Sequence, residues 1–155
     1  MTRVTRSRVI ATAPGQVWGL VTDPHSLPRW WPRTKRVEDV YGEGTDARWT
    51  SVLESDRGKG VRADFRCIEW RSGELYAWEQ EIEGTPFDRI LRDAELEIRL
   101  ESAEVGTRVS ITTDETLRGL SRLGSPMMRG AARRRLDEAL EGIERALVGE
   151  PDGRG

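Results

Sequence analysis

Residues 13–33 read APGQVWGLVTDPHSLPRWWPR, and two adjacent tryptophans, Trp30 and Trp31, stand there between Pro28 and Pro32. Proline on either side interrupts any regular element. The spacing therefore predicts that these rings sit on a turn or on the stub of a short helix. Upstream, Ala13-Pro14 opens a short helix with Val17, Trp18 and Val21 on one face, ended by Asp23-Pro24. A second helical turn is predicted over roughly 25–31, carrying Leu27 and the tryptophan pair. Residues 3–11 alternate loosely and read as a first strand.

Beyond Pro32 the hydrophobic period becomes two. Strands are predicted near 34–41, 46–55, 60–70, 74–83, 88–102 and 106–117, separated by good turn material such as Asp56-Arg57-Gly58-Lys59 and Arg71-Ser72-Gly73. Such short connections favour an antiparallel meander. A final helix is predicted over 126–148, with Ser125 as N-cap, Pro126 at its first position, and Gly149 and Pro151 closing it. Met128, Ala132, Leu136, Ala139, Leu140, Ile143 and Leu147 form its apolar stripe, while Arg134–Glu138 and Glu141–Arg145 are spaced to pair on the other face. One domain over 1–149 and a frayed tail over 150–155 follow from this order.

Bulk composition excludes several functions. Lys plus Arg number 25 against 27 Asp plus Glu, a formal charge of -2, which gives no general drive toward nucleic acid or anionic membranes. One cysteine rules out an internal disulfide, and one histidine any site built on two imidazoles. No metal site, phosphate loop or nucleophile–histidine–carboxylate set is visible. No cofactor is expected. The N-terminus has no long apolar run, so neither a secretory signal nor a stable membrane insertion is expected, and the chain reads as cytoplasmic. The sequence leaves the oligomeric state open.

The motif AP-x-x-VW-x-x-V-x-D-P at 13–24, followed by L-P-x-W-W-P at 27–32, resembles the polyketide cyclase/dehydrase branch of the START-like, Bet v 1-like superfamily. The likeness in order and length runs over about 3–148. It implies an α+β helix-grip fold: a curved seven-stranded antiparallel sheet around a long C-terminal helix, with two short helices near the N-terminus and a cavity between sheet and helix. Its relatives include lipid carriers, hormone receptors and cyclases, so it implies less about activity.

Alternation assigns the inward faces. Val61, Ala63, Phe65 and Cys67 share one face of the fourth strand, and Tyr76, Trp78, Gln80 and Ile82 one face of the fifth. On the sixth, Ile90, Arg92, Ala94, Leu96, Ile98 and Leu100 point inward, and on the seventh Val109, Ile111, Thr113, Glu115 and Leu117. Tight hairpins suggest registers. Glu54 opposite Gly60 sets Trp49 against Phe65 and Ser51 against Ala63, and Leu100 opposite Val109 sets Ala94 against Glu115. Ile82 opposite Ile90 sets Gln80 against Arg92 and Trp78 against Ala94. A row Trp49–Phe65–Trp78–Ala94–Glu115 then crosses the concave face. Arg92 and Glu115 lie one row apart within diagonal reach. A buried charge without a partner is costly, so these two are expected to pair, assisted by Gln80.

The expected ligand-binding set is Trp18, Leu27, Trp30, Trp31, Trp49, Phe65, Tyr76, Trp78, Gln80, Arg92, Ala94, Glu115, Met128 and Leu136. Leu27, Trp30 and Trp31 would cover or border the cavity mouth. Cys67 reads as a small buried apolar group, His25 as a surface or capping residue, and Arg133-Arg134-Arg135 as the solvated side of the helix. The leading function is binding of a small hydrophobic or amphipathic molecule, such as a lipid, quinone or polyketide-like aromatic. One alternative is a cyclase or dehydratase in the same cavity, with Tyr76 and Glu115 moving protons and Arg92 polarising a carbonyl. A second is a protein-interaction module, which would show a filled core and an exposed apolar patch.

Overall fold

The computed structural model describes residues 2–55, 57–119 and 125–149. The predicted tail over 150–155 lies outside them. Seven strands follow the period-two segments closely: β1 (Thr2–Ile10), β2 (Thr34–Tyr41), β3 (Arg48–Glu54), β4 (Gly60–Arg71), β5 (Leu75–Glu81), β6 (Leu91–Ala103) and β7 (Gly106–Leu117). They form one antiparallel sheet in the order β1-β7-β6-β5-β4-β3-β2. Five hairpins run in sequence, and the first strand closes onto the last. The chain between β1 and β2 must therefore pass from one sheet edge to the other. It does so through α1 (Pro14–Val21), a single 3-10 turn (Pro24–Ser26) and α2 (Leu27–Trp30).

Proline at the first helical position starts α1, and Asp23 caps the 3-10 turn by accepting from the His25 backbone N–H at 3.0 Å. Trp31 is already extended, and Pro32 and Arg33 turn the chain into β2, Arg33 with a φ of 61°. The Arg33 carbonyl accepts from Glu54 N at 2.7 Å, which fixes this corner to the end of β3.

The long helix α3 (Ser125–Leu147) lies across the concave face. Ala132, Leu136, Ala139, Leu140 and Ile143 are buried as the stripe predicts, whereas Met128 and Leu147 are half-buried at its ends. Its ion pairs reach the sheet instead of running along its own surface. Arg6 grips Asp137 through two hydrogen bonds of 2.8 and 3.1 Å, and Arg8 reaches Glu144 at 3.5 Å. Among the ion pairs of the described residues, neither Arg134–Glu138 nor Glu141–Arg145 occurs, and Glu141 faces Arg8 at 4.0 Å. Gly142 faces the α2 backbone so closely that a Cβ there would sit 2.6 Å from the Trp30 carbonyl oxygen.

Candidate functional site

Between the concave sheet and α3, the aromatic side chains gather into one cluster within a mainly aliphatic core. Trp78 on β5 is the hub, with ring centroids at 5.6 Å from Trp49, 5.7 Å from Tyr76, 5.9 Å from Trp31, 6.1 Å from Trp30 and 6.3 Å from Phe65. Tyr76 continues the cluster to Trp70 at 5.6 Å and Trp18 at 6.3 Å. Edge-to-face geometry dominates, as the quadrupoles of neighbouring rings favour. A sequence with six tryptophans thus spends them on one continuous cluster.

Beside this cluster remains a hollow of about 100 Å³. Trp31, Phe65, Trp78, Gln80, Ala94 and Glu115, all expected at the site, line it. Leu53, Glu95, Leu96, Thr113 and Arg135 complete its wall without having been expected there. Trp18, Leu27, Trp30, Trp49, Tyr76, Met128 and Leu136 do not line it. Leu27, Trp30, Trp49, Tyr76 and Leu136 are buried core, and the Trp30 backbone backs onto Gly142 of α3. Of the tryptophan pair it is the half-buried Trp31 that borders the hollow.

Arg92 requires correction. It is exposed, and Glu115 pairs instead with Arg135, whose guanidinium donates to Oε1 at 2.6 Å. The cause lies in the backbone. Leu91 faces Leu117 and Asp93 faces Thr116, so Arg92 is the extra residue of a β-bulge and its side chain turns out. Ile90, expected inside, is likewise exposed. The β5–β6 register also differs. Trp78 faces Leu96, and pairing stops at Glu79 opposite Glu95. Residues 82–90 are too many for a tight hairpin and include a 3-10 turn at Pro86–Arg89, so Ile82 and Ile90 never pair. Trp49 faces Phe65, and Phe65 faces Gln80, which replaces Trp78 in that row.

Arg135 belongs to the arginine run read as solvated. Arg133 and Arg134 are exposed, but Arg135 lies half-buried with its guanidinium carbon 5.8 Å from the Trp31 ring centre. The signal was present in the spacing: residue 135 is three beyond Ala132 and four before Ala139, on the edge of the buried stripe.

The polar inventory of the wall is uneven. Gln80 Nε2 and Arg135 Nε are buried and have no hydrogen-bond partner among the described residues. Burial, and then the neighbouring carboxylates of Glu79, Asp114 and Asp93, push the Glu95 carboxyl up from its ordinary range. Tyr76, a proton-transfer candidate under the cyclase reading, is 1% exposed, and burial pushes its phenol well above the usual tyrosine range. Burial also raises the Cys67 thiol. Among the described residues no group of three or more metal-binding side chains occurs.

A surface groove of about 320 Å³ lined by Tyr41, Trp49 and Phe65 shares Phe65 with the hollow, and two further grooves adjoin it. One, of about 440 Å³, opens where β5 and β6 diverge beyond Glu79–Glu95, and shares Gln80, Ala94 and Glu95 with it. The other, of about 290 Å³, runs between α2 and α3 and shares Trp31.

The fold and the order of its elements now have a family to set beside them. The family model described as polyketide cyclase / dehydrase and lipid transport matches residues 1–148. The chain belongs to this family. The same helix-grip fold recurs in solved structures. A START superfamily protein from Mycobacterium smegmatis superposes with a TM-score of 0.76 at 13% identity, covering 96% of this chain and 98% of that one. TTHA0849 from Thermus thermophilus does so with a TM-score of 0.76 at 22% identity, covering 94% and 97%. Ara h 8.0201 gives 0.72 at 15% identity, covering 96% and 98%. At such identities the likeness is one of fold. No functionally curated protein matches the sequence. Among the described residues no helix is long and apolar enough to cross a membrane.

Proposed function

We propose that this protein binds a small amphipathic molecule in the hollow between its sheet and α3, with the apolar part against Trp78, Phe65 and Leu96 and the polar end toward Gln80, Arg135 and Thr113. The observation that carries this reading is the convergence of an aromatic wall and two unpartnered buried donors on one hollow. Burial of apolar ligand surface would contribute about 25 cal/mol per Å², and the donors would fix orientation.

Size sets a condition. A cavity of about 150 Å³ accommodates benzene, and the hollow here is about 100 Å³. A lipid or fused-ring ligand enters only if ring side chains give way. The filled interior is also what a protein-interaction module would show. Against that second reading, the exposed large apolar residues Val9, Tyr41, Ile68, Ile90, Val105, Met127 and Val148 are scattered over different strands, connections and α3. The cyclase or dehydratase reading needs a donor and an acceptor around one hollow, and of Tyr76, Arg92 and Glu115 only Glu115 lines it. We place the protein in the cytoplasm without a nucleic-acid partner, consistent with its formal charge of -2.

Native mass spectrometry of freshly purified protein tests the reading, with the uncharged amphiphile dodecan-1-ol as an added probe. A bound small molecule or dodecanol adduct that disappears in Ala94→Leu, which fills the hollow, is the expected result. An adduct unaffected by Ala94→Leu, or no adduct of either kind, overturns it.

A further inference from the structure

Four of the five buried polar side-chain atoms that lack a hydrogen-bond partner among the described residues belong to residues flanking Trp31. Gln80 Nε2 and Arg135 Nε belong to the hollow, and Trp30 Nε1 and Thr34 Oγ1 to the α2–α3 groove on the other side. The fifth is Trp49 Nε1. Buried polar groups are nearly always paired, because each unpaired one forfeits its hydration without return. These atoms sit on residues lining the two compartments that Trp31 separates, and an occupant reaching both could offer them partners.

Trp31 stands between the two. It is half-buried, lies outside regular structure, and lines both the hollow and the groove. Its indole is held edge-on by Trp30 at 5.7 Å and Trp78 at 5.9 Å, with the Arg135 guanidinium over its face. The hollow and groove measure about 100 and about 290 Å³. Neither alone reaches the roughly 300–1,000 Å³ typical of ligand sites, but together they do.

Resting on the reading of the hollow as a binding compartment, we propose that Trp31 is a movable wall between hollow and groove, and that the joined compartment takes a flat, uncharged ring compound bearing a hydrogen-bond-accepting oxygen. The nest vacated by the indole, two indole edges beneath a guanidinium, suits a flat π-system. The unpartnered nitrogens of Gln80 and Arg135 require an acceptor oxygen. Charge gives little pull on an anion, since Glu115 already pairs with Arg135, the cation that lines the hollow among the described residues. The groove supplies the volume into which the body of the ligand extends, past Pro28 and Pro32 and beside Glu138.

The test uses 6-propionyl-2-(dimethylamino)naphthalene, a flat uncharged aryl ketone whose emission reports apolar surroundings, titrated into folded full-length variants checked by thermal melting. Trp31→Ala should tighten binding on the order of tenfold, because no ring has to leave its three contacts. Trp31→Phe, which keeps a ring in place, should change it less. Glu138→Trp, at an exposed position lining the groove and not the hollow, should weaken it. Naphthalene-2-carboxylate should bind more weakly than the ketone. Unchanged or weaker binding in Trp31→Ala, or no effect of Glu138→Trp, overturns the movable wall. If Ala94→Leu still blocks the probe in that case, the hollow remains a binding compartment and only this inference falls. Tighter binding of the carboxylate, or no binding of the ketone to any variant, overturns the ligand class.

Discussion

Replacing Gly142 by alanine sets two opposing effects against each other on one helix. Inside a helix, alanine is favoured over glycine by about 1 kcal/mol. A Cβ at Gly142, however, would lie 2.6 Å from the Trp30 carbonyl oxygen, 2.8 Å from its Cα and 3.1 Å from its carbonyl carbon. All three are backbone atoms that no rotamer change can clear, so α2 must back away from α3. Overpacking of this kind costs about 1–3 kcal/mol, and the rigidity of the contacted atoms places it at the upper end. The net expectation for Gly142→Ala is destabilisation by about 2 kcal/mol, or a melting point lower by about 4–8 °C for a chain of this size. Gly130 on the same helix is the internal control, because a Cβ there meets nothing within 4 Å. Gly130→Ala should stabilise by about 0.5–1 kcal/mol. Urea unfolding of both variants decides the matter. If Gly142→Ala stabilises as Gly130→Ala does, helix propensity has won and the close approach of α2 to α3 is wrong.

The clasp between Arg135 and Glu115 should be measurable in a double-mutant cycle. Arg135→Met leaves Glu115, whose side chain is 14% exposed, without its cation. The loss should be about 1.5 kcal/mol, at the low end for a charged hydrogen bond because solvent screens the more exposed arginine. Coupling with Glu115→Gln should exceed about 0.5 kcal/mol, and a value near zero would make the pair an ordinary screened surface contact. Tyr76 gives a pH signature. The folded state keeps its proton above the ordinary phenol range while the unfolded chain releases it near pH 10, so stability falls as pH rises past about 10, by up to about 1.4 kcal/mol per pH unit. Urea midpoints of the parent protein and of Tyr76→Phe between pH 9 and 11 should diverge accordingly, and parallel curves would contradict the burial of the phenol.

Where a turn is tight, the sequence dictates register. Glu54 faces Gly60 across a short hairpin, Leu100 faces Val109, and the pairs Trp49–Phe65, Ser51–Ala63 and Ala94–Glu115 follow as predicted. Where the connection is long, it does not. Nine residues, 82–90, separate β5 from β6, and counting across them put Trp78 two residues away from its true partner Leu96. Arg92 failed for a related reason, because a period of two cannot be carried through a bulge. Helical spacing did mark Arg135 as an edge residue of the buried stripe, but its two arginine neighbours masked it. The volume left inside was not legible at all, since it depends on how deeply α3 sits and on which way the indoles turn.

The way α3 is fastened bears on how the hollow could open. Its second half is tied at Asp137 to Arg6, at Glu144 to Arg8, and at Gly142 to the backbone of Trp30. The hollow lies under the other half, where Arg135–Glu115 is the one polar tie to the sheet among the described residues. The same Arg135 covers the ring of Trp31. Lifting the first half of α3 would therefore free the carboxylate, the guanidinium and the indole in one movement, while the second half stays tied to β1 and α2. With Arg92 displaced by the bulge in β6, the strands give the hollow no cation among the described residues, and Arg135 from the helix supplies it. Had the sheet supplied that cation, as period-two alternation implied, the charge would stay fixed when the helix moved. Because the helix carries it, the polarity of the site and the access to it would change together if that half of α3 lifted.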